Sequence, residues 1–145
     1  MESVQGRSLV PILKGDTDAH REFVYSEYLE DNIAMVRTSK WKYFITSGKH
    51  DLVLGYATGA GAAGSFEGLY NLELDPNEFQ NLATDPAHAA TLSRMRSRML
   101  WRFRETHPLA FRVPSELTMM EKIEWFLEPL EKREKYINYQ TLNRD

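Results

Sequence analysis

Residues 33–46 read I-A-M-V-R-T-S-K-W-K-Y-F-I-T, and this stretch decides the fold. Two runs rich in β-forming residues, Ile33–Thr38 and Trp41–Thr46, are separated only by Ser39 and Lys40. Two such runs joined by two residues are typical of a β-hairpin. The second run alternates so that three residues fall on each face, with Trp41, Tyr43 and Ile45 on one face and Lys42, Phe44 and Thr46 on the other. Because both faces carry aromatic area, we expect both to be covered.

Two further runs extend this hairpin into a sheet. Phe23–Tyr28 precedes it, and Leu69–Leu74 follows it and ends at the turn-forming residues 75–77, D-P-N. We predict a four-stranded antiparallel sheet over residues 22–74, preceded by a lead-in turn over 7–14. Together with the helices below, this is an α+β fold in a single domain of 145 residues.

Residues 47–67 form a long loop that contains five of the eight glycines. It also holds apolar residues that a disordered linker would lack, so we expect an ordered loop. A polar cluster marks the sheet end and the start of this loop: Lys40, Lys49, His50 and Asp51. We assign Lys49, His50 and Asp51 to substrate contacts, although ordinary loop polarity explains the same residues and is favoured on local grounds.

Two helices are predicted after the sheet. A long helix over 86–106 begins with Asp85 as a cap and Pro86 in the first position, and its apolar residues recur every three or four positions. Its arginines at 94, 98 and 102 form another stripe, which we interpret as a solvated face rather than an anion site. Thr118 and Glu121 form a capping box that starts a second helix over 118–128, and residues 129–145 are read as a loose tail.

The composition excludes several classes of protein. Lys and Arg total 18 against 21 Asp and Glu, giving a net charge of -3, so we do not expect nucleic acid as a partner. The absence of cysteine rules out thiolate chemistry and Cys-type metal sites. No apolar run is long enough for a membrane span, and no signal peptide is recognisable. We therefore expect a soluble chain and leave its compartment open.

Two short motifs lack the context that their chemistry needs. Residues 59–64 read G-A-G-A-A-G, the dinucleotide fingerprint, but a strand follows where a helix N-terminus is required. Asp16, Asp18, His20 and Glu27 fit a calcium-loop template, but Arg21 stands where the sharp turn requires glycine. We therefore assign neither a nucleotide site nor a calcium site to these two motifs.

Five segments in order resemble the C-terminal portion of sulfatases: G-R-S-L-V-P-I-L at 6–13, R-E-F-V-Y-S-E-Y at 21–28, M-V-R-T-S-K-W-K-Y at 35–43, L-Y-N-L-E-L-D-P-N-E at 69–78 and N-L-A-T-D-P at 81–86. The loop at 48–59 is similar to a variant found in some bacterial members. Gln5 and Asn71 stand where the family often has Asp.

The resemblance implies a two-part hydrolase of the alkaline-phosphatase-like superfamily, of which this chain is the smaller part. The larger N-terminal domain would carry a formylglycine made from Cys or Ser in a C/S-x-P-x-R motif, together with a divalent cation, usually calcium. No such motif occurs here, since the proline after Ser8 stands three residues on instead of two. The resemblance therefore assigns no catalytic and no metal-binding residue to this chain, and we expect the isolated chain to be inactive.

This interpretation makes the missing N-terminal catalytic domain the expected partner of the chain. We also expect an apolar surface, including some of Trp41, Tyr43, Phe44 and Ile45, that is exposed or buried in a homo-oligomer when the chain is made alone. Two alternatives stay open: the parent enzyme is a phosphoester or phosphonate hydrolase, or the chain is a stand-alone, non-enzymatic interaction module. The sulfated substrate is not identified by the sequence.

Overall fold

The computed structural model describes residues 6–28, 33–46 and 66–127. They form an α+β fold in which a four-stranded antiparallel sheet carries a long helix and a shorter C-terminal helix, as predicted. The strands are β1 Val24–Tyr28, β2 Ile33–Arg37, β3 Trp41–Thr46 and β4 Phe66–Asn71, paired in the order β1-β2-β3-β4. The helices are α1 Val10–Leu13, α2 Ala89–Thr106 and α3 Met119–Leu127.

The predicted hairpin is confirmed. Thr38 shapes its turn, since the Trp41 amide donates to Thr38 Oγ1 at 2.8 Å and the Thr38 amide donates to the Trp41 carbonyl at 2.8 Å. Val36 then pairs with Tyr43 and Ala34 with Ile45 across the two strands. This register places four apolar residues on the same face, because side chains alternate along a strand.

The fourth strand lies three residues earlier than the run from which it was predicted. Residues 72–74 form a turn, and Leu74 is 84% exposed. Asn71 ends the strand because its side-chain oxygen accepts from the Glu73 amide at 3.2 Å and its carbonyl accepts from the Asp75 amide at 2.8 Å. At the other end, Phe66 pairs with Thr46 and extends β4 into the predicted loop.

The core lies on one face of the sheet, beneath α2 and α3. Tyr43, Ile45 and Leu69 are fully buried there. The apolar stripe predicted on α2 meets them: Leu92, Met95, Met99 and Phe103 are all buried. Because Tyr43 and Ile45 belong to this core, they are not among the residues of the expected exposed apolar surface. Of the four residues proposed for it, Phe44 lies on the opposite face.

Both predicted helix starts are confirmed. Asp85 accepts from the Ala87 amide at 2.9 Å and caps a 3-10 turn over Pro86–His88, which runs directly into α2. At α3, the Glu121 amide donates to Thr118 Oγ1 at 3.3 Å, and the Thr118 amide donates to Glu121 Oε2 at 2.8 Å. These reciprocal bonds satisfy amides that have no partner within the helix.

The arginine stripe of α2 is only partly solvated, unlike the fully solvated face that was predicted. Arg94 is exposed, but Arg98 and Arg102 are half-buried against the start of β1. Their guanidinium carbons lie over the rings of Phe23 and Tyr25 at 5.9 and 5.7 Å. The stripe therefore joins helix to sheet, which helical periodicity alone does not reveal.

The lead-in turn contains α1, which ends before Gly15, whose φ of 77° lies in the left-handed region that glycine adopts readily. Residues 47–65 of the predicted ordered loop and the predicted tail over 129–145 lie outside the described residues. Within the parts of the chain that the structure describes, no helix combines the length and apolar content needed to cross a bilayer.

Candidate functional site

A substrate-facing loop is predicted at the sheet end where β3 finishes and β4 begins. Thr46 pairs with Phe66, so the chain leaves and re-enters the sheet at neighbouring positions. Thr46 is 2% exposed, whereas Phe66 is 47% exposed. The predicted contact residues belong to the segment between them and lie outside the described residues: Lys49, His50 and Asp51. Their assignment to substrate binding stays a prediction.

Lys40, the fourth residue of the predicted polar cluster, lies in the turn between β2 and β3. This turn is at the opposite end of β3 from Thr46, roughly 17–20 Å away for six strand residues. The Lys40 ammonium lies 2.7 Å from Glu73 Oε2 in an exposed ion pair. Lys40 is therefore held apart from the strand end that leads to Lys49.

A polar network joins β3, β4 and α2 beside the core. The Tyr43 hydroxyl donates to Glu67 Oε1 at 2.5 Å, and Arg96 Nε donates to the same oxygen at 2.8 Å. Arg96 Nη2 also donates to Glu67 Oε2, so the guanidinium engages both carboxylate oxygens. Burial, followed by the bond to Glu67, raises the pKa of Tyr43 far above its ordinary value. The phenol therefore stays protonated and acts as a donor at neutral pH.

The network was not anticipated from the sequence. Its bonds join residues 24 and 29 positions apart, and no local spacing pattern signals such pairs. The bond to Glu67 raises the pKa of Arg96, which keeps the guanidinium charged. Protonated phenol and permanent cation both serve to hold the carboxylate in place. The arrangement is suited to fixing α2 on the sheet rather than to proton transfer.

The face of the sheet opposite the core, which we call the outer face, carries a group of apolar side chains beside the ion-paired Lys42. Strand alternation assigns six partly exposed residues to it: Tyr28, Ile33, Met35, Phe44, Phe66 and Tyr70. Phe44 and Tyr70 stack at a centroid distance of 6.1 Å and an interplanar angle of 5°. Gly68 lies between them, and a Cβ at this position would be 2.3 Å from Phe44 Cε1. The glycine thus permits an aromatic surface across β3 and β4.

A metal ion of the kind that sulfatases use has no donor set in the described residues. No three His, Asp or Glu side chains within ranges 6–28, 33–46 and 66–127 come together as a metal site. His20 contacts the Arg7 carbonyl at 3.1 Å through Nε2, and His88 lies against Trp41 with ring centroids 5.5 Å apart. The described part of the chain therefore does not fit the cation.

Three solved structures share the fold. A putative sulfatase from Bacteroides thetaiotaomicron VPI-5482 and BT1596, a 2-O GAG sulfatase, are each 24% identical, with TM-scores of 0.51 and 0.50; the match covers 81% of this chain and 24% of theirs. BT4656, solved with D-glucosamine-2-N,6-O-disulfate, is 19% identical, with a TM-score of 0.52 and coverages of 70% and 20%. This chain therefore spans about a quarter of the length of these structures or less.

No curated protein matches the sequence. A family model does: the one described as N-sulphoglucosamine sulphohydrolase, C-terminal, matches residues 1–106. This range includes the whole sheet and α2. The chain therefore belongs to the N-sulphoglucosamine sulphohydrolase C-terminal family, a family of C-terminal sulfatase domains.

Proposed function

We propose that this chain is the C-terminal domain of an enzyme that hydrolyses sulfate esters, and that its outer face packs against the catalytic domain. The family match over residues 1–106 carries the proposal. A C-terminal domain of a larger sulfatase implies an N-terminal catalytic domain as its partner.

The outer face supports this arrangement. Phe66 and Tyr28 are each 47% exposed on it, and Phe44 and Met35 are half-buried between them. A contiguous apolar surface of this kind is typical of an interface, since exposing it to water costs about 25 cal/mol per Å². The described helices cover the other face, where they bury the core. A domain packed on the outer face would remove it from water.

The reactive groups would then belong to the catalytic domain. Sulfatases generally use a formylglycine and a divalent cation. For this enzyme we propose calcium, a hard cation that prefers oxygen ligands. There, a formylglycine would supply the nucleophile, and the cation would supply positive charge next to the sulfate group. In this division of labour the C-terminal domain completes the fold and contributes to the rim of the substrate cleft.

The proposed rim residues are Lys49, His50 and Asp51. A cationic Lys side chain suits an anionic sulfate ester, and loops carried by a rigid sheet are common positions for binding residues. Thr46 and Phe66 support this proposal because their pairing fixes the two ends of the segment side by side.

The first experiment concerns the reading frame that contains this chain. We expect it to extend several hundred residues upstream of Met1 and to include a C/S-x-P-x-R motif. The protein it encodes should hydrolyse a sulfated sugar faster than the matching phosphoester or phosphonate. Faster turnover of the phosphoester or phosphonate would mean that the longer protein is a phosphoester or phosphonate hydrolase instead of a sulfatase. A reading frame that starts at Met1 would instead support an interaction module.

The second experiment concerns the rim residues in that longer protein. Lys49→Ala and His50→Ala should each change the ratio of kcat/KM between two sulfated sugars by about tenfold, or 1.4 kcal/mol. The melting temperature should change little. Lys40→Ala is a matched control, because Lys40 lies at the other end of β3. Unchanged kinetics in both variants would remove Lys49 and His50 from the substrate site.

A further inference from the structure

The two edges of the sheet differ in how their backbone groups are paired. At the edge formed by β4, the side-chain oxygen of Asn81 accepts from the Leu69 amide at 3.0 Å, and its side-chain nitrogen donates to the Glu67 carbonyl at 2.9 Å. The Leu82 amide donates to the Leu69 carbonyl at 2.8 Å. The chain that follows β4 therefore closes this edge to a further strand.

The other edge is formed by β1, and the hydrogen-bond ladder shows which of its backbone groups point outward. In antiparallel strands, residues that bond to one neighbouring strand alternate with residues whose backbone groups point the other way. The Thr38 amide donates to the Trp41 carbonyl at 2.8 Å, so Thr38 bonds towards β3 and the preceding residue, Arg37, bonds towards β1. Arg37 pairs with Val24, so Val24 bonds towards β2. The same alternation correctly gives an outward direction to the two β4 residues bound above.

Tyr25 and Glu27 therefore turn their backbone N–H and C=O groups away from the sheet, and we call these groups the β1 edge. No residue in the described ranges bonds to them. Solvent reaches the strand, since Tyr25 is half-buried and the other residues of β1 are exposed. An uncovered strand edge is a template for another strand, because its amides and carbonyls lack the partners that they have inside a sheet.

The β1 edge is symmetric about Ser26. Tyr25 and Glu27 lie on either side of Ser26, and each presents one backbone donor and one backbone acceptor. In an antiparallel pair of two β1 strands with a twofold axis at Ser26, Tyr25 of each copy faces Glu27 of the other. Every donor and acceptor of the β1 edge then has a partner. A second copy of the chain thus matches this edge without any shift in register.

The charged side chains suit the same pairing. Tyr25 and Glu27 share one face of the strand, since the Tyr25 hydroxyl donates to Glu27 Oε2 at 2.8 Å. The Arg102 guanidinium lies over the Tyr25 ring, with its carbon 5.7 Å from the centroid. In the pair, Glu27 of one copy lies opposite Tyr25 of the other, so its carboxylate approaches the positive charge of Arg102. No like charges are directly opposite each other, an arrangement that would be destabilising.

The outer-face side chains of β1 are compatible as well. Ser26 lies on the axis, and Val24 of one copy lies opposite Tyr28 of the other. Val24 and Tyr28 are 49% and 47% exposed, so pairing would remove apolar area from water. The two sheets would form one continuous sheet with both outer faces on the same side. The β1 edge and the outer face are therefore separate surfaces.

We propose that β1 is a dimerisation edge, which pairs antiparallel with β1 of a second copy about a twofold axis at Ser26. The dimer does not depend on the proposed function, because the β1 edge is used whether or not a catalytic domain covers the outer face. Across the axis, the two Ser26 residues form a non-hydrogen-bonded pair, in which Cα atoms lie about 4.5 Å apart. This separation falls within the range of about 4.4–6.8 Å that a disulfide spans.

The first test is a disulfide cross-link in the 145-residue chain. The chain has no cysteine, so Ser26→Cys introduces a single thiol. Phe66→Lys provides a background with less association through the outer face. Mild oxidation should convert most of the Ser26→Cys chain into a covalent dimer. Ser39→Cys is the matched control, since Ser39 is exposed in the hairpin turn, and it should cross-link at least tenfold more slowly. Equal rates would overturn the pairing.

The second test is the dimer dissociation constant, measured by sedimentation in the same background. Glu27→Pro removes an outward N–H and leaves the bonds to β2 in place, so it should raise the Kd at least tenfold. Glu27→Ala is the matched control, because it loses the same carboxylate and keeps the N–H, and it should raise the Kd about threefold or less. Equal effects of the two substitutions would contradict backbone pairing.

A third variant keeps the test decisive if Glu27→Pro does not fold, which a circular dichroism melt establishes. Ser26→Lys sets two ammonium groups against each other at the axis, so it should also raise the Kd at least tenfold. An unchanged Kd would overturn the proposal.

Other occupants of the β1 edge predict different results. A chain that is monomeric and dimerises only after removal of residues 129–145 would assign the edge to that segment. A chain that is monomeric before and after this removal would exclude a second copy as the partner. Hydrolysis of sulfate esters is not measured in any of these tests, so their failure and the failure of the proposed function are distinguishable.

Discussion

At the level of single residues, Glu67 is the acceptor that holds helix α2 on the sheet. Its carboxylate takes hydrogen bonds from Tyr43 and Arg96, and the Arg96 and Glu67 side chains are only 26% and 18% exposed. Partial burial weakens screening by water, so this pair contributes more than an ion pair in solvent. The exposed pair Lys40–Glu73 provides the comparison, with side chains 47% and 56% exposed.

We predict that Glu67→Gln lowers the free energy of unfolding by about 1.5–3 kcal/mol, because the half-buried guanidinium loses its charged partner. Glu73→Gln should lower it by less than about 1 kcal/mol. Urea denaturation of both variants measures the difference. Equal losses would mean that the network around Glu67 contributes no more than a surface pair.

The raised pKa of Tyr43 predicts a loss of stability in alkali. Burial keeps the folded-state pKa above the unfolded value of 10.0, so the native state retains a proton that the unfolded state releases. The stabilisation is complete below pH 10 and declines as the pH rises above it. Tyr43→Phe should show a shallower decline of unfolding free energy between pH 9 and 11. A decline as steep as that of wild type would assign the effect to other groups, of which Tyr25 is the first to test.

At the level of elements, helix starts were predicted accurately and the last strand was not. The capping residues Asp85 and Thr118 act on amides two or three positions away, so sequence spacing contains the whole signal. The bounds of β4 depend instead on β3, since Phe66 becomes a strand residue by pairing with Thr46. The alternation of apolar residues through Leu72 and Leu74 predicted a strand that continues to Leu74, but the turn that starts at Asn71 ends the strand there.

We predict that Thr118→Ala lowers the free energy of unfolding by about 1 kcal/mol, because the Glu121 amide loses its acceptor. Ser115→Ala, just before the helix, should change it by less than about 0.5 kcal/mol. Hydrogen bonds to Thr118 lower the pKa of Glu121 from its ordinary 4.5, so the contribution of the box is present above that pH and lost as the pH falls. Denaturant titrations at pH 7 and pH 3.5 measure both effects; a Thr118→Ala difference that is larger at the lower pH contradicts the assignment.

At the level of the whole molecule, the two faces of the sheet differ in what covers them among the described residues. Alternate strand residues bury the core under α2 and α3 and turn aromatic rings in the other direction. The proposed catalytic domain would cover these rings. A chain made without that domain would expose them to solvent or to another copy.

We predict that Phe66→Lys reduces both binding of an apolar dye and self-association of the 145-residue chain, because it places a charge within the outer face. Phe111→Lys is the matched control, since Phe111 is 78% exposed elsewhere in the molecule. Light scattering and dye fluorescence provide the measurements. A wild-type monomer that binds no dye, or equal effects of both substitutions, would argue against an interface on this face.

The sequence by itself determined the hairpin, the helix caps, the apolar stripe of α2 and the family resemblance. These features depend on residues a few positions apart or on the order of short motifs, so they can be read along the chain. Only the tertiary structure decided the bounds of β4, the Glu67 network and the contact of Arg98 and Arg102 with β1. These depend on residues that chain folding brings together from distant positions, as when Glu22 meets Arg98, and their pairing follows from how the sheet and helix pack.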